Sequence, residues 1–197
     1  MVISGAIGSR EDSYLSNGLM SPDEAENYHP IQISSLDKAG VDMVCAMTLN
    51  EPDEAIGITR AAQSLGIPSA ISFSLETDGK LLNGGSLKNA IGTMDRATNH
   101  APAYYMINCA NPTHFDNILS QENWVNRIRG VRANAFCKRH AELWQSEVLE
   151  DDGAEEFGKL NAELASKYRH LNIFGGCCDS NYQHVEEICK ALLKMSL

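Results

Sequence analysis

Three cysteines lie where two predicted strands end, and their positions are compatible with a shared metal ion. Cys109 closes the segment 104–109, and Cys177 and Cys178 follow a glycine pair at the end of a second apolar segment. In parallel α/β folds, the carboxyl ends of the strands carry the active site. Thiolates bind zinc well, and three protein ligands with one open position are typical of a catalytic zinc site.

The adjacent pair Cys177-Cys178 can serve one metal only where the chain leaves strand geometry. Neighbouring side chains in a strand point to opposite faces of the sheet. Gly175 and Gly176 make such a departure easy because they lack a Cβ. Two other interpretations stay open at this point: the cysteines could be small buried hydrophobic residues, or the adjacent pair could form a vicinal disulfide. The other cysteines have no partner by motif and are interpreted as packing residues: Cys45, Cys137 and Cys189.

Strand-like and helix-like segments alternate along the whole chain. Apolar runs predict strands at Val2–Ile7, Val41–Thr48, Pro68–Leu75, Ala103–Cys109, Ile128–Ala133 and Leu171–Gly175. The helices predicted between them include one from Ser21 toward Gly40 with a kink at Pro30, and others at Pro52–Leu65, Glu155–Tyr168 and His184–Lys194. This alternation predicts a parallel sheet covered by helices, either an open doubly wound sheet or part of an eight-stranded barrel. Residues 1–197 are predicted to form one domain.

Composition and charge narrow the classes of partner. The formal net charge of −10 argues against nucleic acid and anionic membranes, because both bind clustered Lys and Arg. No apolar stretch approaches the roughly 20 residues that cross a bilayer. The start of the chain shows no export signal, so we expect a cytoplasmic protein whose cysteines bind metal or remain buried thiols. His140 and Glu142 are interpreted as solvated.

Two of these strand ends resemble motifs of a known family. The segment 175–178, Gly-Gly-Cys-Cys, resembles the GGCC signature of the homocysteine S-methyltransferases. The segment 107–109, Ile-Asn-Cys, resembles the family's earlier Asn-Cys segment. The resemblance implies that Cys109, Cys177 and Cys178 bind zinc. It also implies a (β/α)8 TIM barrel, here an incomplete barrel that lacks the first two strands.

The chemistry implied by the resemblance is methyl transfer to a thiol. A zinc-dependent S-methyltransferase would activate homocysteine or a related thiol for attack on a small-molecule methyl donor, as in methionine biosynthesis. Asn108, Asn134 and Thr48 lie at predicted strand ends and are the candidate substrate-binding residues. The expected macromolecular partner is a second copy of the chain, or a chain that supplies the missing strands.

Two positions depart from the family pattern. The family's fourth strand ends in a Glu-Thr pair that helps to bind the amino acid, and here the pair is Met47-Thr48. GGCC is followed by Gly-Thr in the family and by Asp179-Ser180 here. A methionine cannot hold an ammonium group, and the family's acidic residue near the start is missing, so we expect this chain alone to methylate homocysteine poorly. The alternative hypotheses are a non-catalytic zinc- or partner-binding remnant, and a zinc enzyme that acts on a different nucleophile.

Overall fold

The structure, a computed structural model, describes residues 1–11, 19–119, 122–137 and 153–195. His140 and Glu142, interpreted above as solvated, lie outside these residues. None of the helices in the described ranges is long and apolar enough to cross a membrane.

Strands and helices alternate throughout these ranges, as the sequence predicts. The strands are β1 Ser4–Ile7, β2 Met43–Leu49, β3 Ser69–Ser74, β4 Tyr104–Asn108, β5 Ile128–Ala133 and β6 Ile173–Gly176. The helices are α1 Pro22–Tyr28, α2 Pro30–Lys38, α3 Pro52–Ser64, α4 Leu87–Thr98, α5 Pro112–Phe115, α6 Ala154–Lys167 and α7 Tyr182–Met195, and a 3-10 helix spans Asn123–Arg127.

The strands form a six-stranded sheet in the order β1-β2-β3-β4-β5-β6. The pairs β1–β2, β2–β3 and β5–β6 are parallel. The predicted α/β class with a parallel sheet is therefore confirmed. Sequential order is that of a barrel, whereas a doubly wound sheet reverses its order partway, so the fold is consistent with part of a TIM barrel. The absence of the barrel's first two strands stays a prediction.

Several element boundaries differ from the prediction by one or two residues, and two of the differences have a clear local cause. The predicted kinked helix is two helices, α1 and α2, that meet at His29, and Pro30 occupies the first position of α2. Proline suits that position because it has no N–H to leave unpaired. The last strand begins at Ile173 rather than Leu171, because Leu171 is held in a turn by a hydrogen bond from its N–H to the carbonyl of Tyr168 (2.9 Å).

The contacts divide the chain into two compact units, of which the first comprises residues 1–74 and 81–105. A capping box begins α1: Ser21 N–H donates to the Glu24 carboxylate (2.9 Å), and Glu24 N–H donates to the Ser21 hydroxyl (3.3 Å). Helix α1 then packs closely on α3. A Cβ at Gly57 would lie 2.3 Å from the Cβ of Ala25 and 2.5 Å from the carbonyl oxygen of Pro22, so only glycine permits this approach.

The second unit comprises residues 75–80 and 106–197. Helices α6 and α7 pack together where Gly158 lies against the backbone of Glu187. The buried His184 ring contacts Phe157 edge-on, with the ring centroids 5.4 Å apart. The Tyr168 hydroxyl donates to the carbonyls of Asp116 (2.9 Å) and Leu119 (2.8 Å), which fixes the end of α6 to the segment after α5. These contacts hold the helices that flank β5 and β6.

Candidate metal centre

Cys109 follows β4 in a left-handed backbone conformation. Its φ is +52°, which is uncommon for a residue other than glycine. Its N–H still bonds the carbonyl of Arg132 on β5 (3.2 Å), so the residue stays attached to the sheet. The Cys109 side chain is almost fully buried, at 3% exposure. The sulfur therefore lies in a sheltered position at the carboxyl end of the strand.

Cys177 and Cys178 lie in a tight turn directly after β6. Cys177 N–H donates to the carbonyl of Ala133 (2.7 Å), and its own carbonyl accepts from the N–H (3.3 Å) and hydroxyl (2.7 Å) of Ser180. Asp179, the next residue in the turn, has φ +60°. A Cβ at Gly176 would lie 2.6 Å from the Cβ of Ser180, so any larger residue there collides with the Ser180 side chain. The chain thus leaves strand geometry where the adjacent cysteines require it.

The three sulfurs converge. Cys109 Sγ lies 2.6 Å from Cys177 Sγ and 3.9 Å from Cys178 Sγ, and all three atoms lie within 4.8 Å of one another. All three cysteines are free thiols. Tetrahedral zinc with bonds of about 2.3 Å needs sulfurs about 3.8 Å apart, so binding would separate the closer pair by about 1 Å. The donor set therefore fits a zinc ion with one open position.

The neighbouring thiols change one another's acidity. Hydrogen bonding with Cys109 raises the pKa of Cys177. The pKa of Cys178 is raised by hydrogen bonds with Cys109 and Cys177, and also by burial. Thiolates this close also repel one another in a partly buried site, which adds to the effect of the hydrogen bonds. A bound cation offsets this repulsion and favours the thiolate form.

Asn108 places a polar side chain against two of the sulfurs. It is 1% exposed, and its Nδ2 lies 3.1 Å from Cys109 Sγ and 3.9 Å from Cys177 Sγ. An amide N–H that donates to sulfur stabilises a thiolate and orients it. The structure thus places this predicted substrate residue against the cysteines, and a contact with substrate stays a prediction.

Asn134 joins the two cysteine-bearing segments. Its Oδ1 accepts from the N–H of Cys178 (3.1 Å), and its own N–H donates to the carbonyl of Ala110 (3.1 Å). Asn111 Nδ2 donates to the carbonyl of Asn134 (3.2 Å). The sequence analysis named Asn134 for substrate binding, which stays a prediction, and it missed Asn111. The available signal was an Asn-Pro pair at the start of a helix, where Asn111 Oδ1 accepts from Thr113 N–H (3.1 Å).

Thr48 and the three other cysteines are not members of the three-cysteine cluster. Thr48 belongs to β2 in the first unit and has φ +59°, and its role in substrate binding stays a prediction. The half-buried Cys45 lies 3.3 Å, sulfur to sulfur, from Met47. The interpretation of Cys137 and Cys189 as packing residues is wrong, because both are exposed. Cys137 lies beyond the end of β5, and Cys189 lies on an exposed face of α7.

The sequence and the structure both match known methyltransferases. The sequence profile of the homocysteine S-methyltransferase family matches residues 1–192. The structure matches the Escherichia coli homocysteine methyltransferase MmuM in its apo form (TM-score 0.69, 15% identity, 97% of this chain and 63% of that chain). For the metallated form of MmuM the TM-score is 0.67 and the identity 15%, over 100% of this chain and 62% of that chain. For the oxidized form the TM-score is 0.65 and the identity 17%, over 94% of this chain and 56% of that chain.

The likeness to MmuM is a likeness of fold, and the family match is one of sequence. At such low identities the structural match establishes the fold. The chain spans less than two thirds of the length of the MmuM chains. No curated protein matches the sequence significantly. The family match extends over nearly the whole sequence and confirms the resemblance seen in the two cysteine motifs. The chain therefore belongs to the homocysteine S-methyltransferase family.

Proposed function

We propose that this chain is a zinc-dependent S-methyltransferase that acts on homocysteine or a related small thiol. The observation that carries the proposal is the convergence of three free cysteine sulfurs within 4.8 Å at the ends of β4 and β6. Membership of the family supports the reaction. The soft sulfur donors support zinc, and a metallated form of MmuM has been solved.

Each residue of the site has a distinct task in this proposal. Cys109, Cys177 and Cys178 would hold the ion. A bound zinc ion would lower the pKa of a substrate thiol at its open position, so that the thiolate exists at neutral pH. Asn108 donates to the ligand sulfurs, and Asn134 holds the backbone of Cys178 in place. Methylated homocysteine is methionine, so the reaction would serve methionine biosynthesis. The cytoplasmic location stays a prediction.

The proposal is tested first by metal content. The purified chain is expected to retain one zinc ion, measured by elemental analysis. Substitution of serine for Cys109, Cys177 or Cys178 should sharply lower that content, because each removes one ligand. Cys189→Ser is the matched control, since this exposed cysteine lies outside the cluster, and it should retain zinc. Unchanged zinc content in all three cluster variants would refute the metal site.

Turnover is tested next. Methyl transfer to homocysteine is measured with S-adenosylmethionine, S-methylmethionine, betaine and methyl-folate as donors. Turnover that depends on the three cysteines would support the enzyme. One observation favours the alternative, a non-catalytic zinc-binding member of the family: methionine occupies position 47, where the resemblance implies a substrate-binding glutamate. Zinc retention without turnover from any donor would support that alternative.

A further inference from the structure

Arg132 is an exposed cationic residue next to the cysteine turn. It lies on β5 between Val131 and Ala133, which are fully buried on the opposite face of the sheet. Its stem crosses Gly175, where a Cβ would lie 3.7 Å from Arg132 Cγ. Its Nε donates to the carbonyl of Gly176 (3.3 Å). The guanidinium is therefore held beside the residue that directly precedes Cys177.

This arginine has no acidic partner in the part of the chain that the structure describes. Lysines of the same unit form ion pairs there, for example Lys167 with Asp116 and Lys190 with Glu186. The chain carries 26 acidic and only 16 basic side chains, so carboxylates outnumber cations. Among the described residues its one bond is from Nε, so both terminal nitrogens can donate to a ligand. A fixed but unpaired guanidinium is suited to a carboxylate, which it can bind through two parallel hydrogen bonds.

We propose that Arg132 forms a subsite for the carboxylate group of the thiol substrate. The inference rests on the proposed function, because it assumes that the substrate sulfur takes the open position beside the three cysteines. The bond from Arg132 to Gly176 places the cation beside the residue that precedes Cys177, at the strand end that carries the cysteines. In the proposal the thiol of a small molecule lies at the metal and its carboxylate lies at Arg132. The substrate class is then a mercapto acid, of which homocysteine is one example, and a thiol without a carboxylate is a poorer ligand.

The test compares three thiols on the zinc-loaded chain by titration calorimetry. Homocysteine carries both an ammonium and a carboxylate, 4-mercaptobutyrate lacks the ammonium, and 3-amino-1-propanethiol lacks the carboxylate. Arg132→Gln should weaken the two carboxylate thiols about tenfold and leave the aminothiol unchanged, since it removes a charge-assisted hydrogen bond. Arg132→Lys should restore part of the affinity through charge alone.

The matched control is Arg129→Gln. Arg129 is an exposed arginine on the same strand that donates to the carbonyl of His170 (3.2 Å), and its loss should change none of the three affinities. Zinc content measured on every variant shows whether the metal site has survived the substitution.

Three outcomes would overturn the proposal. Equal affinity of Arg132→Gln and the unsubstituted chain for homocysteine would reject the subsite and leave the proposed function standing. An equal loss for all three thiols would show that Arg132 acts through the charge of the metal–thiolate cluster and not through the substrate carboxylate. Failure of the unsubstituted zinc-loaded chain to bind any of the thiols would reject the subsite and the proposed function together.

Discussion

The side-chain oxygen of Asn134 accepts a hydrogen bond from the backbone N–H of Cys178 at 3.1 Å. The backbone of Asn134 is also bonded to the segment after Cys109, through Ala110 and the side chain of Asn111. The buried Asn134 is thus hydrogen-bonded both to the segment that follows Cys109 and to Cys178. Asn134 adds to the backbone bonds of Cys109 to Arg132 and of Cys177 to Ala133, so it helps to set the spacing of the sulfurs.

Replacement of Asn134 by leucine should weaken zinc binding by about tenfold, the lower end of the effect seen for partners of metal ligands. Leucine has a similar volume but cannot accept the hydrogen bond from Cys178. Asn134→Asp keeps an acceptor oxygen and should retain more of the affinity. The measurement is competition for zinc with a chromophoric chelator. Asn117→Leu, at an exposed position of the same unit, is the control, and an equal loss there would contradict the assignment.

A second prediction concerns the turn after β6. Gly176→Ala should lower zinc affinity, because the new Cβ collides with the side chain of Ser180. Among the described residues other than its chain neighbours, Ser180 alone has atoms within 4 Å of the added Cβ. The double variant Gly176→Ala/Ser180→Gly should therefore recover the affinity of Ser180→Gly alone, measured by the same competition. Failure of the second substitution to rescue the first would show that Gly176 is needed for another reason.

Sequence patterns were sufficient for the existence of the strands and for three cysteines that meet at the strand ends. Apolar runs located each strand, and the strand ends placed Cys109 and Cys177 at one edge of the sheet. The left-handed backbone of Cys109 and Asp179 could not be predicted, because neither residue is glycine and the conformation is imposed by tertiary packing. The hydrogen bonds of Asn134 and the exposure of Arg132 depend on which strands become neighbours in the fold. Local sequence patterns therefore do not predict them.

Packing of α1 on α3 gives a third prediction. Gly57→Ala should destabilise the chain by about 3 kcal/mol, because the added Cβ meets backbone atoms of α1 that cannot move aside cheaply. Gly92→Ala is the control in α4, where the new Cβ meets only the flexible end of Arg96 at 3.3 Å. It should stabilise the chain by about 0.5–1 kcal/mol, since alanine favours the helix. Urea unfolding measures the free energy of unfolding of both variants. Similar changes in that free energy for Gly57→Ala and Gly92→Ala would contradict the packing argument.

The capping box of α1 gives a prediction about pH. Hydrogen bonds from the backbone N–H and the hydroxyl of Ser21 hold the pKa of Glu24 below its ordinary value. A carboxylate whose pKa is lowered by folding stabilises the native state above its unfolded pKa, and this contribution is lost as the pH falls through the folded value. The stability difference between the unsubstituted chain and Glu24→Gln should therefore shrink on acidification from neutral pH to roughly pH 3.

Urea unfolding at the two pH values measures this difference. Ser21→Ala removes the donor hydroxyl and should reduce the pH dependence in the same direction. A difference that stays constant with pH would show that the box acts through geometry alone.

The positions of the ligands along the chain also constrain the order of assembly. Cys109 and Cys177 are 68 residues apart, and β5 lies between their strands in the sheet. During synthesis Cys109 leaves the ribosome well before the other two sulfurs exist, so the three-sulfur site cannot form until β6 has docked beside β5. Metal acquisition therefore follows the docking of β6 beside β5, and the rate of zinc uptake in a refolding experiment would report that docking.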